Sequence, residues 1–133
     1  MPFLDTTVLL RHFLGDHPEQ SPRATAFLGR VERGEVQVHI SDTVIFETVF
    51  TLQRTYRLAK QDIRDAVIPL LELPDVVIPG KRRLRRAFEL YIDLNLPFAD
   101  AYHAAMTEWL NLDEIVSFDR DFDRVPGIER VEP

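Results

Sequence analysis

Hydrophobic and polar positions along this chain follow helical spacing in six stretches and short β-rich runs between them. Thr6 to Leu14 carries Val8, Leu9, Leu10, Phe13 and Leu14 at helical spacing, and Gly15 stops it. Ser21-Pro22 reads as an N-cap followed by proline at the first helical position. The helix it opens carries Phe27, Leu28 and Val31, and Gly34 closes it. Ser41 to about Leu58 reads as a long helix with Ile45, Val49, Leu52 and Tyr56 as its apolar stripe. Gln61 to Leu73 is a further helix, with Pro69 as a kink. Lys81 to Asn95 turns Leu84, Phe88, Tyr91 and Leu94 inward, and Pro97 begins a helix carrying Phe98, Tyr102, Ala105 and Trp109. The runs between them are Pro2-Phe3-Leu4, Val36 to Ile40, Val76 to Ile78, Glu114 to Phe118 and Ile128 to Val131. Strands separated by helices predict a parallel α/β sheet, because parallel neighbours need crossovers. Ligands of such sheets bind outside the carboxyl ends of the strands.

The composition narrows the chemistry. A length of 133 residues fits one domain, 1–133, and supports a core without staples. The chain has no cysteine, which excludes disulfides, thiolate catalysis and iron–sulfur clusters and fits a reducing cytoplasm. The 22 acids outnumber the 16 Lys plus Arg, for a net charge of −6. That argues against a passive nucleic-acid coat, which would be basic, though not against an enzyme that meets phosphate through a metal ion. No apolar stretch approaches the roughly 20 residues that span a bilayer, and no basic leader opens the chain. The expectation is a soluble cytoplasmic protein that does not enter membranes. With five glycines and no GxSxG or GxGxxG, nucleotide loops and serine hydrolysis have no support.

The acids are better candidates. Asp5 follows the first run and Asp119 follows the fourth, in Ser117-Phe118-Asp119. Each reads equally as a helix N-cap, and a capping carboxylate keeps a free oxygen for a cation. Glu47 lies in Val44-Ile45-Phe46-Glu47-Thr48-Val49-Phe50 with no cation three or four residues away. So apolar a setting predicts burial, and a buried carboxylate needs a distant arginine, a metal or a proton. Asp100 stands in the first turn of its helix, where the dipole favours an acid. Asp100, His103, Thr107 and Asn111 share its polar face. Like charges gathered in one place call for a cation, and oxygen ligands suit Mg²⁺ or Mn²⁺. The scattered His12, His17, His39 and His103 have no zinc-ligand spacing.

Taken in order, these stretches resemble the PIN-domain family, most closely the VapC-type toxins of toxin–antitoxin pairs. Phe3-Leu4-Asp5-Thr6-Thr7-Val8-Leu9-Leu10 is similar to the first acidic motif, with Thr7 where many members carry Asn. Ile40-Ser41 through Glu47-Thr48-Val49 is similar to the second. Phe98-Ala99-Asp100-Ala101-Tyr102-His103-Ala104-Ala105 resembles the third. Ile115-Val116-Ser117-Phe118-Asp119-Arg120-Asp121-Phe122 resembles the fourth, with Ser117 where Thr is frequent. The resemblance implies a three-layer α/β/α sandwich with a parallel sheet of about five strands. It implies a metal held by Asp5, Glu47, Asp100 and Asp119, with Asp121 competing for the fourth place. It also implies hydrolysis of RNA, a homodimer and an antitoxin that blocks the acidic cleft.

The activity expected is metal-assisted phosphodiester hydrolysis. Thr7 and Ser117 either orient acids through their hydroxyls or make ordinary cap and turn bonds. A catalytically silent PIN-fold binding module is the alternative, and a metal-dependent phosphatase is a more distant one. Lys81-Arg82-Arg83-Leu84-Arg85-Arg86 concentrates positive charge, either as a solvated helix face or as an RNA-backbone contact. Phe50, Tyr56 and Trp109 are expected in the core rather than on a dimer surface.

Overall fold

Asp5 ends the opening extended segment and starts the first helix by capping it. The computed structural model describes residues 1–133, which form two compact units, Met1–Pro79 and Gly80–Pro133. In the first unit, α1 (Thr6–Leu14) ends at Gly15, whose φ of 62° is left-handed, with its N–H returned to the Arg11 carbonyl. Helix α2 (Gln20–Glu32) begins before the expected Ser21 cap. The reason is His17, whose Nδ1 accepts the N–H of Gln20 at 2.9 Å and of Glu19 at 3.3 Å. Ser21 is thereby drawn into the helix, and its Oγ accepts the His17 N–H.

Helix α3 (Asp42–Arg54) is capped by Ser41, whose Oγ accepts the Val44 N–H. It stops short of Leu58 because the chain turns left-handed at Arg57, with φ 55°. Helix α4 (Lys60–Leu71) carries Pro69 in its last turn, close to where it ends. Strands β1 (Val38–His39) and β2 (Val76–Val77) pair in parallel with Val38 opposite Val76. Phe3 bridges His39 in the same sense, with the Leu4 N–H on the His39 carbonyl at 2.8 Å. Leu9, Ile45, Val49, Leu52, Ile63 and Val67 are fully buried. Each contributes about 1.5–3 kcal/mol by leaving water.

The second unit contains α5 (Lys81–Asp93), α6 (Phe98–Trp109), β3 (Glu114–Val116), a 3-10 helix (Arg120–Arg124) and β4 (Glu129–Val131). Strands β3 and β4 are parallel, Ile115 opposite Arg130. Asn95, at φ 51°, makes the turn between α5 and α6; Asn tolerates this left-handed region better than most residues. Phe88, Tyr91 and Phe98 form the aromatic centre, with the Tyr91 and Phe98 rings edge to face at 5.4 Å. Arg86 clamps the two helices: its Nε and Nη2 donate to the Glu108 carboxylate at 2.8 and 3.1 Å, and its Nη1 donates to Glu89 at 2.9 Å.

All strand pairings are parallel, as the pattern predicts, and the paired stretches are shorter than the β-rich runs. Phe50, Tyr56 and Trp109 depart from the expectation. They are 60%, 43% and 57% exposed rather than in the core. The buried line of α3 runs through Val44, Ile45, Thr48, Val49 and Leu52. Phe50 falls off that line, where the Arg54 guanidinium lies 5.2 Å from its ring centre. Tyr56 lies beyond the helix end and Trp109 at the last residue of α6. No helix is long and apolar enough to cross a membrane.

Candidate functional site

In the first unit, Asp5 is exposed at the end of the segment that bridges β1. Its Oδ2 accepts the Thr7 N–H at 3.2 Å and the Thr7 hydroxyl at 2.8 Å. The Thr7 hydroxyl, then the Thr7 backbone N–H, hold the carboxyl below its ordinary value. Both of these bonds fall on Oδ2, so the cap leaves Oδ1 outside them. Thr7 therefore orients an acid, one of the two roles the sequence allowed. Beside Asp5, a groove of about 570 Å³ runs between α1 and α2, lined by Thr7, Arg11, Arg23 and Phe27. Arg11 is held there by Gln20, to which its Nε donates at 2.7 Å.

Glu47 is exposed, which corrects the expectation of a buried carboxylate. Its flanking Phe46 and Phe50 are half-buried and exposed, so the apolar run around it does not describe a buried surface. Glu47 lies outside the buried line of α3 and needs no partner to offset desolvation.

In the second unit, Asp100, Asp119 and Asp121 come together, with one carboxylate oxygen from each lying within 4.8 Å of the others. Asp100 is in the first turn of α6 and half-buried. Burial pushes its carboxyl above the ordinary value, and the charge of Asp119 adds to this, followed by a hydrogen bond with Asp119 and the charge of Asp121. His103 acts in the opposite direction. Asp119 caps the 3-10 helix, its Oδ1 accepting the Asp121 N–H at 2.9 Å. Ser117 makes the ordinary turn bond here, since its Oγ accepts the Asp119 N–H at 2.9 Å.

Two arginines hold this acidic turn in place. Arg124 donates from Nη1 to the Leu94 carbonyl at 2.7 Å, using a free carbonyl at the end of α5, and pairs through Nη2 with Asp121 at 3.1 Å. Arg130, with a side chain only 12% exposed, donates to the Ser117 carbonyl and pairs with Asp123 and Glu132. Neither arginine stands out in the sequence. Only the separation of three residues between Asp121 and Arg124 carried a signal for a helical pair. Asp119 and Asp121 both reach Asp100, and Arg124 occupies one oxygen of Asp121 alone. The donors are all hard carboxylate oxygens, partly desolvated and mutually repelling. This set fits a divalent cation and suits neither a thiophilic nor an imidazole-preferring metal.

A family profile described as the PIN domain matches residues 3–128. A VapC ribonuclease of Aquifex aeolicus (strain VF5) is 29% identical over 133 residues, which is 100% of this chain and 97% of that protein. Among solved structures, that of VapC20 from Mycobacterium tuberculosis, described as a Sarcin-Ricin loop cleaving toxin, is 20% identical. That match covers 100% of both chains, with a TM-score of 0.44.

Proposed function

Since this chain belongs to the PIN domain family, we propose that it is a metal-dependent endoribonuclease, the toxin of a toxin–antitoxin pair. The observation that carries the reading is the convergence of Asp100, Asp119 and Asp121 within 4.8 Å, inside the matched residues. The full-length similarity to a VapC ribonuclease supports the substrate class. We assign the acidic roles to Asp5 and Glu47 in the first unit and to Asp100 and Asp119 in the second. The profile crosses from one unit to the other, which supports treating 1–133 as one functional domain with the three-layer α/β/α architecture of the family.

In the reaction, water attacks phosphorus and the bond to the leaving sugar oxygen breaks. A bound Mg²⁺ or Mn²⁺ would supply a lowered water pKa and offset phosphate charge. The acids assigned above would hold that ion. Thr7 positions Asp5, and Arg124 positions Asp121 while leaving Asp119 as the fourth acid. The raised carboxyl of Asp100 is a cost that a cation relieves. The partners in this reading are the RNA, an antitoxin and a second copy of the chain, acting in the cytoplasm.

The test is cleavage of a panel of folded and single-stranded RNAs, tRNAs included, with Mg²⁺ or Mn²⁺. EDTA and the Asp5→Asn, Glu47→Gln, Asp100→Asn and Asp119→Asn proteins are the controls. Loss of activity with EDTA and in all four variants is expected. Cleavage that survives Asp5→Asn and Asp100→Asn sinks the assignment. No cleavage and no metal binding moves the chain to a silent binding module.

A further inference from the structure

Trp109 is the chain's one tryptophan, and it ends α6 with 57% of its surface exposed. A single exposed ring is ordinary at a protein surface, so what holds it in place decides its use. The ring is held in place: the Arg83 guanidinium lies over it, 4.5 Å from the ring centre. Arg83 is itself half-buried, and its Nε is buried without a hydrogen-bond partner. No ion pair takes it, so its charge is held by a π-face instead of being neutralised by an acid. Gly80, at φ 77°, gives Arg83 its room, since a Cβ there would collide with the guanidinium.

The charge around the ring is arranged to the same end. Five of the chain's 16 basic residues lie between Lys81 and Arg86. Arg86 is committed to Glu108 and Glu89, so the acid next to Trp109 in the chain is neutralised. Arg82, four residues from Arg86 and one from Arg83, is exposed on the adjoining face of α5.

We propose that Trp109, backed by Arg83 and flanked by Arg82, is a stacking platform for a base of single-stranded RNA, with the neighbouring phosphate on Arg82. A base stacks on the exposed indole without sequence preference, and basic side chains beside an aromatic ring are the usual companions of such stacking. In a chain of net charge −6, this is where a polyanion meets concentrated positive charge. The platform rests on the ribonuclease reading for its substrate class. It is separate from the carboxylates.

The experiment titrates the full chain with a single-stranded octaribonucleotide in EDTA, reading the intrinsic fluorescence of the lone tryptophan. Anisotropy of the labelled RNA serves the variants. Saturable quenching is expected. Trp109→Ala should weaken binding by about fivefold or more, while Trp109→Phe, which keeps a π-face, should retain most of it. Arg82→Gln should weaken binding and flatten the log–log salt slope by about 0.7. Unchanged binding in Trp109→Ala overturns the platform, and does so even where metal-dependent cleavage is intact. RNA binding by anisotropy that is lost in Trp109→Ala, in a protein that cleaves no RNA, keeps the platform and sinks the nuclease. Emission that follows protein concentration and ignores RNA makes this face a contact between copies, and the proposal fails.

Discussion

Removing one charge from the acidic cluster should stabilise the protein and weaken its response to metal. Asp119→Asn is the informative substitution. Asn caps a helix about as well as Asp, so the bond from the Asp121 N–H survives and only the charge is lost. Two unit charges at the cluster's limiting separation of 4.8 Å repel by about 0.9 kcal/mol with water-like screening, and by about 3.5 kcal/mol at an effective dielectric near 20. Asp119 is exposed, so its repulsion of Asp100 belongs at the lower end, about 1 kcal/mol. For a chain of 133 residues that raises Tm by about 3–5 °C in EDTA. The sign follows from linkage: a carboxyl whose folded pKa is raised contributes stability below its ordinary 3.8, and this is lost as pH rises through the folded value. Above the folded value the wild-type fold carries the repulsion. Metal acts in reverse. At 100 times its dissociation constant, an ion bound only to the folded chain adds about 2.7 kcal/mol. The assay is thermal unfolding of both proteins in EDTA and across a Mn²⁺ series. The variant should start higher and gain less. A variant that is less stable in EDTA, or that gains as much from Mn²⁺ as the wild type, refutes the reasoning.

Three other outcomes follow from the packing and hydrogen bonds. Phe88→Ala removes the ring that contacts Tyr91 and Phe98 and should cost about 3–5 kcal/mol in denaturant unfolding. Tyr91 is fully buried, and burial pushes its phenol from 10.0 up to about 12. The neutral phenol is favoured in the fold, so its contribution is whole below the ordinary value. About 2–3 kcal/mol should be lost as pH rises between them, a loss that Tyr91→Phe should abolish in alkaline unfolding curves. Thr7→Val removes the main cause that lowers Asp5, so the Asp5 carboxyl midpoint, followed by carbon NMR, should rise toward 3.8.

The parts of the fold with local causes were legible in the sequence. Asp5, Ser41 and Asp119 cap their helices because a short polar side chain at the end of an extended run meets free N–H groups there. Gly15 ends α1 because the turn needs a left-handed residue. The start of α2 was not legible, since His17 caps through a ring nitrogen and no capping preference points to histidine there. Glu47 misled for a related reason. The apolar run suggested a helix apolar around most of its circumference, but a helix has one buried arc, and Phe50 sits outside it under an arginine. Burial is a property of the arc and not of the residue's neighbours in the chain.

The cluster itself needed three dimensions. Asp100 enters from the first turn of α6 and Asp119 and Asp121 from the turn after β3, and no periodicity links them. What the sequence did carry was the absence of a Lys or Arg three or four residues from Asp100. That absence matters for function. Arg86 and Arg130 answer acids elsewhere in this unit, each with two carboxylates, while Arg124 takes one oxygen of Asp121 and leaves Asp100 and Asp119 facing each other. A fold selected for stability alone would gain by neutralising that pair or replacing one acid with Asn. Keeping them unanswered costs about 1 kcal/mol, a cost that a bound cation would offset. On the proposed assignment, therefore, stability and metal occupancy are coupled through the same carboxylates. The size of the Mn²⁺ response in unfolding measures how much of the acidic site is assembled before RNA arrives.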